Sequence, residues 1–278
     1  MQALRPTHLV FLICTKFLLV SLVVASDEFC GRVFETQLGH ALVGHFMTKN
    51  YVLDEFECHL KCMANNNFYK NCAEVFKSGD KIRDVYKIDP DGLGEIEVFC
   101  DHETAGGGWM VFQKRFDGTE DFFRTWDDYK RGFGNVKGEF WLGLDKIHRL
   151  TASSNKLRVD LGDFHGKTAF AEHSSFSVAS EYAKYRLSLG SYSGTAGDSL
   201  GVHDGSAFST KDRDNDAISG GNCAFWHKGA WWYKSCHVSN LNGMYLDGRC
   251  TYGVCWYDWK RRYESLKRSE MKIRPKEF

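Results

Sequence analysis

Asp212, Asp214 and Asp216 alternate with Arg213 and Asn215, and Ser219, Gly220 and Gly221 follow closely. In an extended or turning segment, every second side chain points the same way. Carboxylates gathered on one side repel unless a cation joins them, and calcium accepts about six to eight oxygens, backbone carbonyls included. The small residues that follow let the chain curl so that carbonyls face the same centre. The EF-hand pattern does not fit. Counted from Asp212, the position that needs glycine is Ala217, and the position that needs a bidentate glutamate is Cys223. Spacing alone leaves two readings open, calcium ligation and a solvated acidic turn, because Asp and Asn favour turns in any case. Cys223 and Cys236 then bracket a short aromatic loop, as a disulfide would.

A second constellation points to catalysis. Gly197, Asp198, Ser199, Leu200 and Gly201 spell both G-x-S-x-G and the GDSL esterase word. Nucleophilic serine chemistry needs a strand-to-helix elbow and a base and an acid further along the chain. The residues before Ser199 form no strong strand pattern, and the D-x-x-H at Asp145–His148 lies upstream. The chain is therefore not expected to be an enzyme. Gly106, Gly107 and Gly108 precede no Gly-Lys-Ser/Thr and read as a tight turn, not a phosphate loop. Cys58 and Cys62 have poor zinc-ligand spacing. His40, His102 and His203 stand alone and read as ordinary surface or core residues.

The elements that must carry these residues are mostly strands. Val85–Pro90 reads as a strand running into a turn, and Glu95–Cys100, Trp109–Gln113, Lys156–Leu161, Thr168–His173 and Tyr185–Leu189 read as an antiparallel set. Cys72–Gly79 reads as a short helical turn, and Asp54–Met63 as a short helix with Cys58 and Cys62 on one face. At 43% hydrophobic and 26% charged residues, the composition is that of a soluble globular chain. The formal net charge of +0 argues against nucleic acid as a main partner. Arg5 and Lys16 precede an apolar run over 17–24 that is too short to span a membrane. Residues 1–25 are therefore expected to be a secretory leader cleaved after Ala25. Without Cys14, nine of the ten cysteines remain, an odd number. One is then free or joins two chains, with Cys30, Cys58 and Cys62 as the candidates for self-association. Cys250 and Cys255 are placed to bridge a tight turn.

The runs Asp214–Asp216, Gly221–Ala224, Gly229–His237, Ser239–Gly243 and Met271–Pro275 resemble the fibrinogen C-terminal (fibrinogen-related) domain, within it ficolin and tachylectin-like lectins. The resemblance runs from about Asn71 to Pro275, and residues 26–70 resemble the front half of a PAN/apple module. It implies an α+β fold over 71–278, with a central twisted antiparallel sheet, short helices and a loop-rich calcium- and ligand-binding region. It also implies pairing of Cys72 with Cys100, and calcium held by the Asp214 and Asp216 side chains with the Ile218 and Gly220 carbonyls. A cis peptide is implied at Ser235–Cys236, beside a ligand pocket with His227, His237 and Tyr252. His227 stands where relatives carry Tyr or Phe, and Leu144 where many carry Asn. The loop over 249–256 is shorter than in acetyl-binding relatives. The implied function is secreted, calcium-dependent recognition of glycans with N-acetyl or acidic groups, in innate immunity. A protein-binding or adhesion ligand is the alternative. Lys260, Arg261 and Arg262 read as a solvated turn.

Overall fold

Alternation of apolar and polar residues builds one large sheet. The computed structural model describes residues 68–261 and 264–278, together with short strand segments before residue 53. It divides into two units, Met1–Asn67 and Phe68–Phe278. In the first, Val10–Leu12 pairs with Ser21–Val23, Phe34–Glu35 with Ala41–Leu42, and Met47–Thr48 with Tyr51–Val52. The leader cleavage point, Cys30, His40 and the helix expected over Asp54–Met63 with Cys58 and Cys62 lie outside the described residues, as does most of the PAN/apple-like segment.

The second unit begins with α1 (Cys72–Lys77), capped by the Asn71 side chain, which accepts from the Glu74 N–H at 3.0 Å. Strands β1 (Asp84–Ile88), β2 (Ile96–Asp101) and β3 (Trp109–Arg115) follow. Next come α2 (Trp126–Arg131), β4 (Phe133–Gly134), β5 (Phe140–Trp141) and α3 (Leu144–Leu150). Strands β6 (Asn155–Gly162), β7 (Thr168–Val178), β8 (Leu187–Leu189) and β9 (Tyr192–Gly194) continue the sheet. The site region holds α4 (Cys223–Trp226), β10 (Ser239–Asn240), β11 (Cys255–Trp256) and α5 (Tyr257–Lys260) before the last strand, β12 (Arg268–Pro275).

The ten-stranded sheet runs β4-β5-β3-β12-β6-β7-β8, with β9 also on β7 and the β1–β2 hairpin joined to β3 through β2. Every pairing is antiparallel. The fold class is therefore α+β, as the family resemblance implied. The last strand is central: β12 pairs Met271 with both Gln113 of β3 and Val159 of β6. The strand expected from Tyr185 starts only at Leu187, because Lys184 and Tyr185 adopt positive φ of 58° and 48°.

Leu157, Val159, Leu161, Met271 and Ile273 form one buried sheet face. An aromatic cluster of Phe112, Trp141, Phe176, Phe208 and Trp232 lies in the same core. Each such ring contributes roughly 1.5–3 kcal/mol by leaving water. The other face carries charge, yet it is buried too. Lys272 Nζ lies 2.6 Å from Asp101, 2.8 Å from Glu270 and 2.9 Å from Asp160. Burial opposes the charge of Lys272, but Glu270, Asp160 and Asp101 outweigh it and hold the ammonium above its ordinary pKa.

Candidate functional site

The site is assembled from loops, and the sheet fixes their roots. Gln113 Nε2 donates to the Leu241 carbonyl at 3.0 Å, and the Arg115 guanidinium donates to the carbonyls of Leu241 and Gly243 at 3.1 and 2.7 Å. Asn242 Nδ2 donates to the Ala230 carbonyl at 3.1 Å, so the Ser239–Gly243 stretch ties β3 to the Gly229–His237 segment. Trp231, Trp232 and Tyr233 anchor that segment in the core. Neither Gln113 nor Arg115 was a sequence candidate, because a basic or amide residue on a strand ordinarily reads as solvent-facing.

The three aspartates separate. Asp212 turns to α2, accepting from the Trp126 N–H at 2.9 Å and the Thr210 hydroxyl at 2.7 Å. It satisfies one of the amides a helix start leaves open, and so does not converge with the other two. Asp214 Oδ1 accepts from the Asp216 N–H at 3.1 Å, while Asp216 accepts from Ile218 and Cys223 N–H groups at 2.8 Å each. Burial raises the Asp216 pKa, and the neighbouring Asp214 charge raises it further. Among the described residues, the Ile218 and Gly220 carbonyls accept no backbone hydrogen bond, and no three His, Cys, Asp or Glu side chains gather at metal-ligand spacing. The donor set at this loop is two carboxylates plus uncommitted carbonyl oxygens, which fits a hard cation and no soft one. Gly220 has φ 76°, the left-handed turn that lets the loop double back.

This loop is wired to the next. Ala217 N–H donates to the Lys234 carbonyl at 2.9 Å. Cys223, whose N–H is held by Asp216, pairs with Cys236 at a Cα–Cα distance of 5.4 Å. Cys72 pairs with Cys100, and Cys250 with Cys255. The Ser235–Cys236 peptide is cis. Asn222 caps α4 by accepting from the Phe225 N–H at 2.8 Å.

His227, at the end of α4, meets His237 edge to face, with ring centres 4.4 Å apart. Its Nδ1 lies 2.8 Å from the Thr251 carbonyl, so that nitrogen carries the proton and ties the 249–256 loop to the pocket. The Tyr252 ring lies 6.5 Å from His227, with half of the residue exposed. The structure thus brings His227, Ser235, Cys236, His237 and Tyr252 to one place, beside the Asp214–Asp216 loop. Among the described residues the Cys236 N–H donates to no backbone carbonyl. Phe225, Trp226 and Met244 add exposed apolar surface from the same loops.

His203, expected to be an ordinary surface or core residue, is a core residue with a specific task. Fully buried, its Nδ1 lies 2.8 Å from the Trp232 carbonyl, while Nε2 accepts from the Val238 and Ser239 N–H groups at 3.2 and 3.1 Å. Only the neutral Nδ1–H tautomer satisfies all three. The ring therefore staples both ends of the segment that bears Ser235, Cys236 and His237. Burial pushes its pKa down to about 4.

Ser199 is buried, and its Oγ exchanges hydrogen bonds with Asp258, donating to the carboxylate at 3.1 Å and accepting from the N–H at 2.8 Å. It joins two loops, and among the described residues no histidine is hydrogen-bonded to its hydroxyl. Lys260 is not part of a solvated turn: it is tied to Asp163 and lies 3.2 Å from Glu264. Arg262 lies outside the described residues.

Residues 68–276 match the family model for the C-terminal globular domain of fibrinogen beta and gamma chains. The chain is 51% identical to human Tenascin-R over 209 residues, covering 74% of this chain and 15% of that protein. It is 50% identical to Ryncolin-4 of Cerberus rynchops, over 74% of this chain and 61% of that protein. The chain thus spans less than two thirds of the length of these relatives. Among solved structures, the fibrinogen-like globe domain of human ANGPTL2 superposes with a TM-score of 0.73 at 41% identity, covering 75% of this chain and 99% of that one. Lamprey fibrin D-dimer complexed with a Gly-His-Arg-Pro-amide peptide superposes with a TM-score of 0.71 at 32% identity, covering 80% and 82%. No helix among the described residues is long and apolar enough to cross a membrane. The domain is a recognition or binding domain, and the chain belongs to the fibrinogen C-terminal domain family.

Proposed function

We propose that this chain is a secreted, calcium-supported recognition protein for glycans bearing N-acetyl or acidic groups, in the manner of an innate-immune lectin. The observation that carries this reading is the wiring of the Asp214–Asp216 loop to the Ser235–Cys236 bend, through the Asp216-held Cys223 and its disulfide to Cys236. Three cystines fit an oxidising compartment outside the cell. Bound calcium, on Asp214, Asp216 and the Ile218 and Gly220 carbonyls, would supply the positive charge that cancels carboxylate repulsion. The Cys236 N–H would donate to an acetyl carbonyl, while His227, His237 and Tyr252 would wall its methyl. Such single sites are weak, and multivalency would raise avidity. Self-association through Cys30, Cys58 or Cys62 would provide it.

On N-acetyl-glucosamine resin, the protein is expected to be retained in calcium buffer and released both by EDTA and by free acetyl sugar. Passage straight through in calcium would sink the glycan reading. A protein-binding or adhesion ligand is the second reading, favoured by the exposed Phe225, Trp226, Met244 and Tyr252. These give an apolar rim wider than a methyl group needs, and the similar lamprey structure holds a peptide.

A further inference from the structure

A second candidate surface lies on the sheet, and none of the residues assigned to the acetyl pocket line it. It is an open groove of about 650 Å³. Five cationic side chains line it, Arg83, Lys114, Lys167, Lys267 and Arg268, against two carboxylates, Asp163 and Glu270. Both carboxylates are already engaged. Asp163 holds Lys260 and accepts from the N–H groups of His165 and Lys167 at 2.9 and 2.7 Å. Glu270 holds Lys272, Arg83 and Arg268 at 2.8, 3.1 and 3.0 Å. None of the ion pairs among the described residues includes Lys114, Lys167 or Lys267. Lys167 and Lys267 therefore remain unneutralised along one groove, while half-buried Lys114 stands opposite Glu270 and shares that carboxylate with three other cations, in a chain whose formal net charge is +0.

The frame beneath them is rigid. Gly162 of β6 pairs with Arg268 of β12, and Lys267 N–H donates to the Gly162 carbonyl at 3.0 Å. The β6–β7 turn is closed by Asp163 N–H donating to the Lys167 carbonyl at 3.0 Å. Lys114 Nζ sits over the Phe99 and Phe116 rings, 4.7 and 5.3 Å from their centres. The two arginines, whose forks would grip a single phosphate in two places, are committed to Glu270, and no helix begins in the groove. What remains is a row of point charges spread over β3, the β6–β7 turn and the start of β12. Such a row suits an extended chain of spaced anions, not one phosphate.

We infer that this groove binds a sulfated polysaccharide, independently of calcium and of the acetyl pocket. The test is anisotropy of a fluorescent heparin oligosaccharide with the full chain in low and physiological salt. Lys167→Glu/Lys267→Glu is compared with Lys81→Glu/Lys276→Glu, an equal charge change at exposed positions outside the groove. The groove variant is expected to weaken binding about tenfold or more and the control about twofold or less, since the local field and not net charge decides. Binding should weaken with salt, persist in EDTA, and resist free N-acetyl-glucosamine. Equal loss in both variants would overturn the inference. So would equal affinity for hyaluronan or for duplex DNA, or loss of binding in EDTA. If the groove variant does not fold, acylation of the unaltered protein decides: heparin should shield Lys114, Lys167 and Lys267 and leave Lys81 reactive, and uniform reactivity would contradict the site. Because the readout needs neither calcium nor an acetyl group, it stands or falls separately from the glycan reading above.

Discussion

Replacing Lys272 with methionine is expected to cost the domain roughly 3–5 kcal/mol, the cost of leaving buried carboxylates without their cation. Lys272, Asp101 and Glu270 have fully buried side chains, and the ammonium is the hub that Asp101, Asp160 and Glu270 share. Burial would raise both Asp101 and Glu270, but the charge of Lys272 prevails and holds each below its ordinary value. Their contribution to stability is therefore present above the unfolded carboxylate range and lost as pH falls through the lowered values. Without Lys272 the largest opposing charge is gone and burial pulls both carboxyls back up, against only the remaining contacts of Arg83, Arg268 and Thr104. The penalty, read from urea unfolding of both proteins, should be largest near neutral pH and shrink toward about pH 4. A penalty that does not change with pH would mean that packing, not charge, accounts for the loss.

Replacing His203 with phenylalanine should be the next most damaging change, and it should act on the site. The ring holds one carbonyl and two N–H groups, on Trp232, Val238 and Ser239. Each buried group left unpaired costs roughly 1–3 kcal/mol. The same staple predicts acid sensitivity. Burial lowers the folded pKa to about 4, below the unfolded value of about 6.5, so the unfolded state binds the extra proton first. Stability is thus complete above about pH 6.5 and declines as pH falls toward 4, by an amount on the order of 3 kcal/mol. The protection of the Val238 and Ser239 amides against hydrogen exchange, relative to their intrinsic rates at each pH, should fall across that window in the unaltered protein. Protection that stays constant from neutral pH down to about 4.5 would contradict the assignment.

Alternation in Lys156–Leu161 and Glu95–Cys100 was enough to place strands, since one apolar face needs little context. The same logic would place half of β12 in solvent. Arg268, Glu270, Lys272 and Arg274 look like a solvent face, yet six consecutive residues of that strand are buried. Charges from Arg83, Asp101 and Asp160, remote in sequence, complete the network, and no local pattern reveals them. The loop chemistry divided in the same way. The Cys223–Cys236 and Cys250–Cys255 bridges were legible because each pair brackets a short loop, whereas the Cys72–Cys100 pair followed only from the family resemblance. Asp212 shares the alternate spacing of Asp214 and Asp216 and went to a helix start that only the fold brings near. His203 was illegible for the converse reason: its partners are backbone groups, which leave no mark in the sequence.

In the proposed function, a divalent ion on Asp214 and Asp216 steadies the bend that carries the pocket. Thermal unfolding of the unaltered chain and of Asp216→Ala, each in millimolar calcium and after exhaustive chelation, tests it most directly. A ligand at about a hundred times its Kd stabilises by about 2.7 kcal/mol, or roughly 5–10 °C in a domain of this size. The unaltered protein should lose that much on chelation, and Asp216→Ala should melt at one temperature in both buffers. Identical melting of the unaltered chain with and without calcium would contradict the account.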